Sequence, residues 1–214
     1  MRYPEKWRNI SLAIAALSAA AIIPAALGNA PPGDRSPITI IAMGAAPAAV
    51  FALILSIIFH VDARRRARLL RGEDILARWT IPPALVPQFE ALRRRCNQSA
   101  AGHTPLPDYL FPRPNARGEI EVLIGAAAVM AGGDFHALPV RGYALIHGPE
   151  FIALTPGGGI NGGGLLEFRI TTHASADSTT RRWALRIPIP PGHEEDIRRI
   201  HSHYQQRADD KLPA

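Results

Sequence analysis

The chain has 214 residues, 47% of them hydrophobic, with a net charge of +6 and a sequence pI near 10.2. The surplus positive charge sits in two short stretches. Residues 1–9 carry Arg2, Lys6 and Arg8 against Glu5, residues 62–71 carry five arginines against Asp62, and from Gly72 onward basic and acidic residues balance. A nucleic-acid module carries its basic surface on the folded domain, so the location of the charge excludes that class.

The first apolar run, Ile10–Leu27 (ISLAIAALSAAAIIPAAL), contains no charged residue. As a helix it covers roughly 27 Å, close to the hydrocarbon thickness of about 30 Å. The second, Ile38–Val61, would cover roughly 36 Å and is expected to tilt or kink. Pro24 and Pro47 are tolerated in membrane spans, whereas they are costly inside soluble helices. The linker Gly28–Pro37 (GNAPPGDRSP) is short, polar and neutral, while both flanks are basic. The positive-inside rule then places residues 1–9 and everything after the second span in the cytoplasm of a multi-pass inner-membrane protein. Trp7 and Phe59-His60 fit interfacial anchoring at the same end.

Gly28-Asn29-Ala30 has the small residues of a signal-peptide cleavage site, but Pro31 disfavours cleavage there. The arginine-rich exit keeps the large domain cytoplasmic in either case. Ser11, Ala15 and Ala19 recur every fourth residue in the first span, as Gly44 and Ala48 do in the second, and such spacing permits close helix approach. Neither span contains Asp, Glu, Lys or Arg, so ion-pathway and proton-relay chemistry has no visible carrier.

Arg64, Arg65, Arg66, Arg68 and Arg71 continue the second helix as far as Gly72. They serve as a topology signal, or they contact anionic lipid headgroups at the membrane surface. The expected organisation is a membrane anchor over 1–61 (spans about 10–28 and 38–61), a basic juxtamembrane segment over 62–72, a β-rich domain over 73–208 and a tail over 209–214. Cys96 is the single cysteine, so an intramolecular disulfide is impossible, in keeping with a reducing compartment.

Within the domain, Glu73–Ile81 alternates with Ile75, Ala77, Trp79 and Ile81 on one side, which is strand periodicity. Pro82-Pro83 end it, and Pro87–Cys96 predicts a short helix closed by Arg93, Arg94 and Arg95, where cations suit the dipole. Residues 97–118, with four prolines, predict an extended loop. Short strands follow over Glu119–Ile124, Ala127–Ala131, Phe135–Leu138, Gly142–His147, Phe151–Leu154, Leu165–Thr172 and Arg181–Pro188. In the sixth, Leu166, Phe168 and Ile170 face one way and Glu167 and Arg169 the other. In the last, Trp183, Leu185 and Ile187 oppose Arg182, Ala184 and Arg186, so Trp183 is expected to be a core residue. Pro190-Pro191-Gly192 introduce an amphipathic helix over His193–Arg207, with acids in its first turn and an apolar stripe of Ile197, Ile200 and Tyr204.

The strand Glu73–Ile81 after an arginine-rich exit, the run of antiparallel strands, and the final pair of Trp183–Pro190 with the helix from His193 resemble the bacterial pleckstrin-homology-like domains that hang from membrane helices. The resemblance is one of element order over about two thirds of the chain, and the helix and proline-rich loop between Pro82 and Gly118 depart from it. It implies an α+β fold, mainly antiparallel sheet or a partly open barrel, and a binding or assembly role toward a lipid or protein partner or a second copy.

No residue pattern points to catalysis. Gly157-Gly158-Gly159 and Gly162-Gly163-Gly164 precede a strand, whereas a phosphate-cradling loop precedes a helix. His201 and His203 are two apart, on different sides of a helix, and the remaining histidines lack ligand spacing. No cofactor, metal or small-molecule substrate is expected. The rival from another class is a membrane-tethered enzyme whose site assembles from distant residues. A nucleophile held by a buried acid–base partner would favour the enzyme, and an apolar groove would favour binding.

Overall fold

A computed structural model describes residues 3–27, 37–98, 114–138, 144–155, 162–173 and 180–209. The chain divides into two compact units, Met1–Ala67 and Arg68–Ala214.

The first unit holds helix α1 (Pro4–Leu27) and most of helix α2 (Pro37–Leu70). Both are long and apolar enough to cross a membrane, over Pro4–Ile23 and Gly44–Leu70. Trp7 of α1 meets Phe59 of α2 with ring centroids 6.4 Å apart, and Arg66 Nη1 donates to Glu5 Oε1 at 2.9 Å. The start of one helix therefore meets the end of the other, as in an antiparallel hairpin. Beyond Pro4 at the start of α1, the buried positions among the described residues are small: Ser11, Ala52, Ser56 and Ala63, the last three on one face of α2. The Gly44–Ala48 pair expected at a close approach is exposed instead, and a side chain added at Gly44 would meet nothing. Large apolar side chains such as Leu17, Phe51 and Ile57 point outward.

The second unit carries two antiparallel sheets that do not close into a barrel. The first has the order β1 (Ile75–Ile81), β2 (Ile120–Gly125), β3 (Ala128–Ala131), β4 (Asp134–Ala137). The second has the order β5 (Ala144–Ala153), β6 (Gly164–His173), β7 (Thr180–Ile189). Gly132 and Gly133 both take positive φ, 55° and 81°, which is what a two-residue hairpin turn requires between β3 and β4. The strands expected at Gly142–His147 and Phe151–Leu154 are one strand, β5. A register irregularity between His147 and Glu150 accommodates Pro149, whose missing N–H is harmless on a sheet edge.

The core lies between the sheets. Ala77, Trp79 and Ile81 pair with Ile124, Val122 and Ile120, and face Leu166, Phe168, Leu185 and Ile187 of the second sheet in one buried cluster. Helix α4 (Glu194–Asp209) closes it with Ile197, Ile200 and Tyr204. Tyr204 stands edge-on to Phe168 at 5.1 Å and donates its hydroxyl to the Gly125 carbonyl at 2.9 Å. Trp79, 3% exposed, donates Nε1–H to the Pro188 carbonyl at 2.9 Å, joining the two sheets. Trp183 is half-buried at the edge of this core, so the dominant core tryptophan is Trp79.

A second, smaller cluster forms on the other face of the first sheet from Leu69, Leu123, Ala128, Met130 and Phe135. A Cβ at Gly125 would come within 2.7 Å of Leu69 Cδ1 and 3.2 Å of the Asp74 carbonyl oxygen, so a larger residue there requires the Leu69 side chain to shift.

Candidate functional site

The element that shapes the site is helix α3 (Val86–Gln98), inserted between β1 and β2. The turn Pro83–Leu85 leads into it, and Pro87 sits in the first helical turn, where its missing N–H costs nothing. Phe89 and Leu92 are buried, join the main core cluster, and fasten α3 to the face of the second sheet that carries Leu165 and Glu167.

Alternation along β6 places Glu167 and Arg169 on that face, opposite Leu166, Phe168 and Ile170. It is covered at Glu167, whereas Arg169 is exposed. Glu167 is 3% exposed and Arg186, its cross-strand neighbour, 5%. Arg186 Nε donates to Glu167 Oε2 at 2.6 Å and Nη1 donates to Asn97 Oδ1 of α3 at 2.6 Å. Arg169 Nε donates to the other oxygen, Glu167 Oε1, at 2.9 Å, and its Nη2 reaches Glu150 at 2.7 Å. The bond to Glu167 raises the Arg169 guanidinium above its ordinary value. Two buried charges are sustainable because each satisfies the other and Asn97 takes a further donor. The network ties β5, β6, β7 and α3 together.

Beside it, a small cleft, with a volume of about 30 Å³ and open to solvent on one side, lies between α3 and the sheet. Val86, Phe89, Ile120, Leu165 and Pro188 form its apolar walls, and Glu90, Arg93 and Arg186 supply the charge. Of the three arginines expected to close α3, Arg93 lines this cleft, Arg94 pairs with Glu90 at 3.9 Å and Arg95 donates to the Leu154 carbonyl at 3.3 Å. An apolar slot with charges of both signs at its rim suits a side chain or short segment of a partner. Alternation alone pointed away from this cleft, because a strand with charge on its second face reads as half-exposed. The available signal was Phe89 and Leu92 on a helix that has to bury them somewhere.

The five arginines proposed for the membrane surface are not five unpartnered charges. In the first unit Arg65 pairs with Asp62 at 3.6 Å and Arg66 with Glu5 at 2.9 Å, while Arg64 is exposed with no carboxylate partner among the described residues. In the second unit Arg68 bonds both Glu73 and Asp74, and Arg71 bonds Glu73 at 2.7 Å. The Arg71 bond holds the Glu73 carboxyl below its usual range and raises Arg71 in turn. Glu73 and Asp74 follow the cluster directly, so their neutralising role was visible in sequence. Glu5 was not, because it needs the hairpin to reach Arg66.

Among the described residues no group of three or more His, Cys, Asp or Glu side chains is placed to hold a metal ion. Gly162 to Gly164 lead into β6, and residues 156–161 of the glycine-rich segment lie outside the described residues. No family model, curated protein or solved structure matches the chain.

Proposed function

We propose that this chain is a membrane-anchored binding module: the α1–α2 hairpin spans the inner membrane, and a PH-like domain on the cytoplasmic side offers the cleft under α3 to a protein partner. The observation that carries the reading is that cleft, with apolar walls of Val86, Phe89, Ile120, Leu165 and Pro188 and a rim of Glu90 and Arg93. The PH-like assignment is supported by a four-stranded and a three-stranded antiparallel sheet followed by a helix packed on the core. The basic flanks of the hairpin support the orientation.

Photo-crosslinking from the full chain in native membranes tests the role. A photoreactive residue at Val86 or Arg93 should yield a discrete adduct, and the same residue at exposed Thr80 or Arg198 should not. The charge reversal Glu90→Arg should remove the adduct while the domain stays folded. Equal adducts from all four positions, or none from the cleft, would sink the reading. Orientation is tested separately with a reporter cysteine at Thr80 in a Cys96→Ser background, which an impermeant thiol reagent should miss in intact cells. Labelling without permeabilisation would invert the topology.

A further inference from the structure

The end of the hairpin where α1 begins and α2 leaves the apolar stretch gathers an unusual set of side chains. Lys6 Nζ lies 4.9 Å from the centroid of the Tyr3 ring, and Arg66 Cζ lies 5.7 Å from the same centroid. Two cations therefore share one aromatic ring. At the same end of the hairpin Trp7, 50% exposed, meets Phe59 with ring centroids 6.4 Å apart and planes tilted by 36°. Glu5 takes Nη1 of Arg66, but Arg66 Nε is buried with no hydrogen-bond acceptor among the described residues.

Each element of this arrangement points to an anion. Two like charges at one ring repel one another, and a ring offers each of them only a weak quadrupole attraction. An oxygen accepting from both would convert the repulsion into two charge-assisted hydrogen bonds. A buried guanidinium N–H without an acceptor is a cost that such an oxygen removes. Glu5 offsets one of the two positive charges, so the site retains a single net charge and suits a monoanion rather than a highly charged group. Tyr3 within it, and Trp7 and Phe59 at the same end of the hairpin, are aromatic residues of the kind that sit at headgroup depth.

We propose that Lys6 and Arg66, held around Tyr3, form a discrete site for the phosphodiester of an anionic phospholipid in the cytoplasmic leaflet. The inference rests on the membrane-spanning reading of the hairpin and narrows it. The arginine cluster as a whole does not act as a diffuse basic patch. One arginine of the five, together with a lysine from the other helix, selects a headgroup, as basic pockets between membrane helices do.

The test uses the full chain, purified in detergent, delipidated and titrated with lipid under native mass spectrometry. Phosphatidylglycerol should bind in preference to phosphatidylcholine of the same acyl chains. Lys6→Gln and Arg66→Gln should each weaken it by about tenfold, the loss of one charge-assisted bond. Arg64→Gln removes an equal charge from an exposed position of the same helix and should leave affinity within about twofold. Lys6 is exposed on the hairpin, so its variant keeps the test valid if Arg66→Gln loosens the helix pair. Equal losses in all three variants would mean unspecific charge. Equal binding of phosphatidylcholine would mean an apolar annulus, and displacement by excess inorganic phosphate would mean a soluble-anion site. Each of these overturns the proposal. Alkaline extraction of native membranes separates the two levels. A chain released by carbonate sinks the membrane reading itself, whereas a chain that resists extraction but does not discriminate lipids sinks the headgroup site alone.

Discussion

The two units of this chain use the same apolar residue types in opposite ways. In the hairpin the large side chains, Leu17, Phe51 and Ile57 among them, point outward, and the buried positions among the described residues are Pro4, Ser11, Ala52, Ser56 and Ala63. In the domain Trp79, Phe168, Leu166, Ile187 and Ile200 are buried and charges cover the outside. Water enforces the second pattern through the cost of exposing apolar area. The first is stable where the surroundings are themselves apolar, because helices then associate through small residues and backbone proximity. Composition averaged over the chain conceals this inversion. Its location, switching near the arginine cluster, reveals it.

The largest predicted effect is at the centre of the domain. Trp79→Ala removes a buried ring and its bond to Pro188 and should cost about 3–5 kcal/mol. Trp183→Ala, at the half-buried edge, should cost about 1–2 kcal/mol, scaling with the smaller area it removes from water. Urea unfolding of the full chain in mild detergent measures both. Equal losses would mean that the strand edge is as tightly packed as its centre, and would break the distinction between them.

Next comes the buried ion pair, where the domain departs from an apolar interior by burying charge. Glu167→Leu leaves Arg186 buried beside Asn97 without its carboxylate, at a cost of about 3 kcal/mol or more. The double variant Glu167→Leu, Arg186→Met should recover most of that loss, because the pair together contributes little net stability. If the double variant were as unstable as the single, the network would be stabilising in itself through Arg169, Glu150 and Asn97.

The hairpin should respond to charge in the opposite place. Ile57 is 59% exposed, so in water Ile57→Arg would be harmless to stability. In a span it should raise the insertion cost by about 2.5–3.5 kcal/mol, less what snorkelling toward the nearby end recovers. A glycosylation-reporter assay for insertion measures this. No change in insertion would mean that the outward face of α2 does not meet lipid.

Much of this organisation was legible in sequence, for reasons that vary by element. Leu166, Phe168 and Ile170 alternate because one face of β6 meets the core, and that period survives whatever covers the other face. The burial of Glu167 was not legible, because it depends on where α3 docks, a contact between distant segments. β5 was split at Gly148-Pro149 because those residues usually end strands, and an edge position with a register shift overrides that tendency. Trp79 and Trp183 both alternate correctly. Their difference in burial comes from position along the strand relative to the opposing sheet, which periodicity does not encode. The cleft and the Lys6–Tyr3–Arg66 cluster both bring together residues far apart in the chain, and no local motif announces either.

The smallest effect concerns pH and again separates the units. His136, 8% exposed on β4, pairs with Val129, whose side chain belongs to the main core. Burial pushes its imidazole from 6.5 down to about 3. The sign follows from linkage: the unfolded chain takes up a proton below about pH 6.5, whereas the folded chain resists it until near pH 3. Stability from a neutral His136 is therefore complete above pH 6.5 and declines by about 1.4 kcal/mol per pH unit below it, or about 2 kcal/mol by pH 5. Carboxylates elsewhere titrate over the same range, so the measurement is a difference. His136→Gln cannot ionise, and its unfolding free energy should fall less steeply between pH 7 and pH 5 than that of the parent chain. Parallel pH profiles would mean that the imidazole reaches water or a carboxylate in the folded state, and would move β4 from the interior of the domain to its surface.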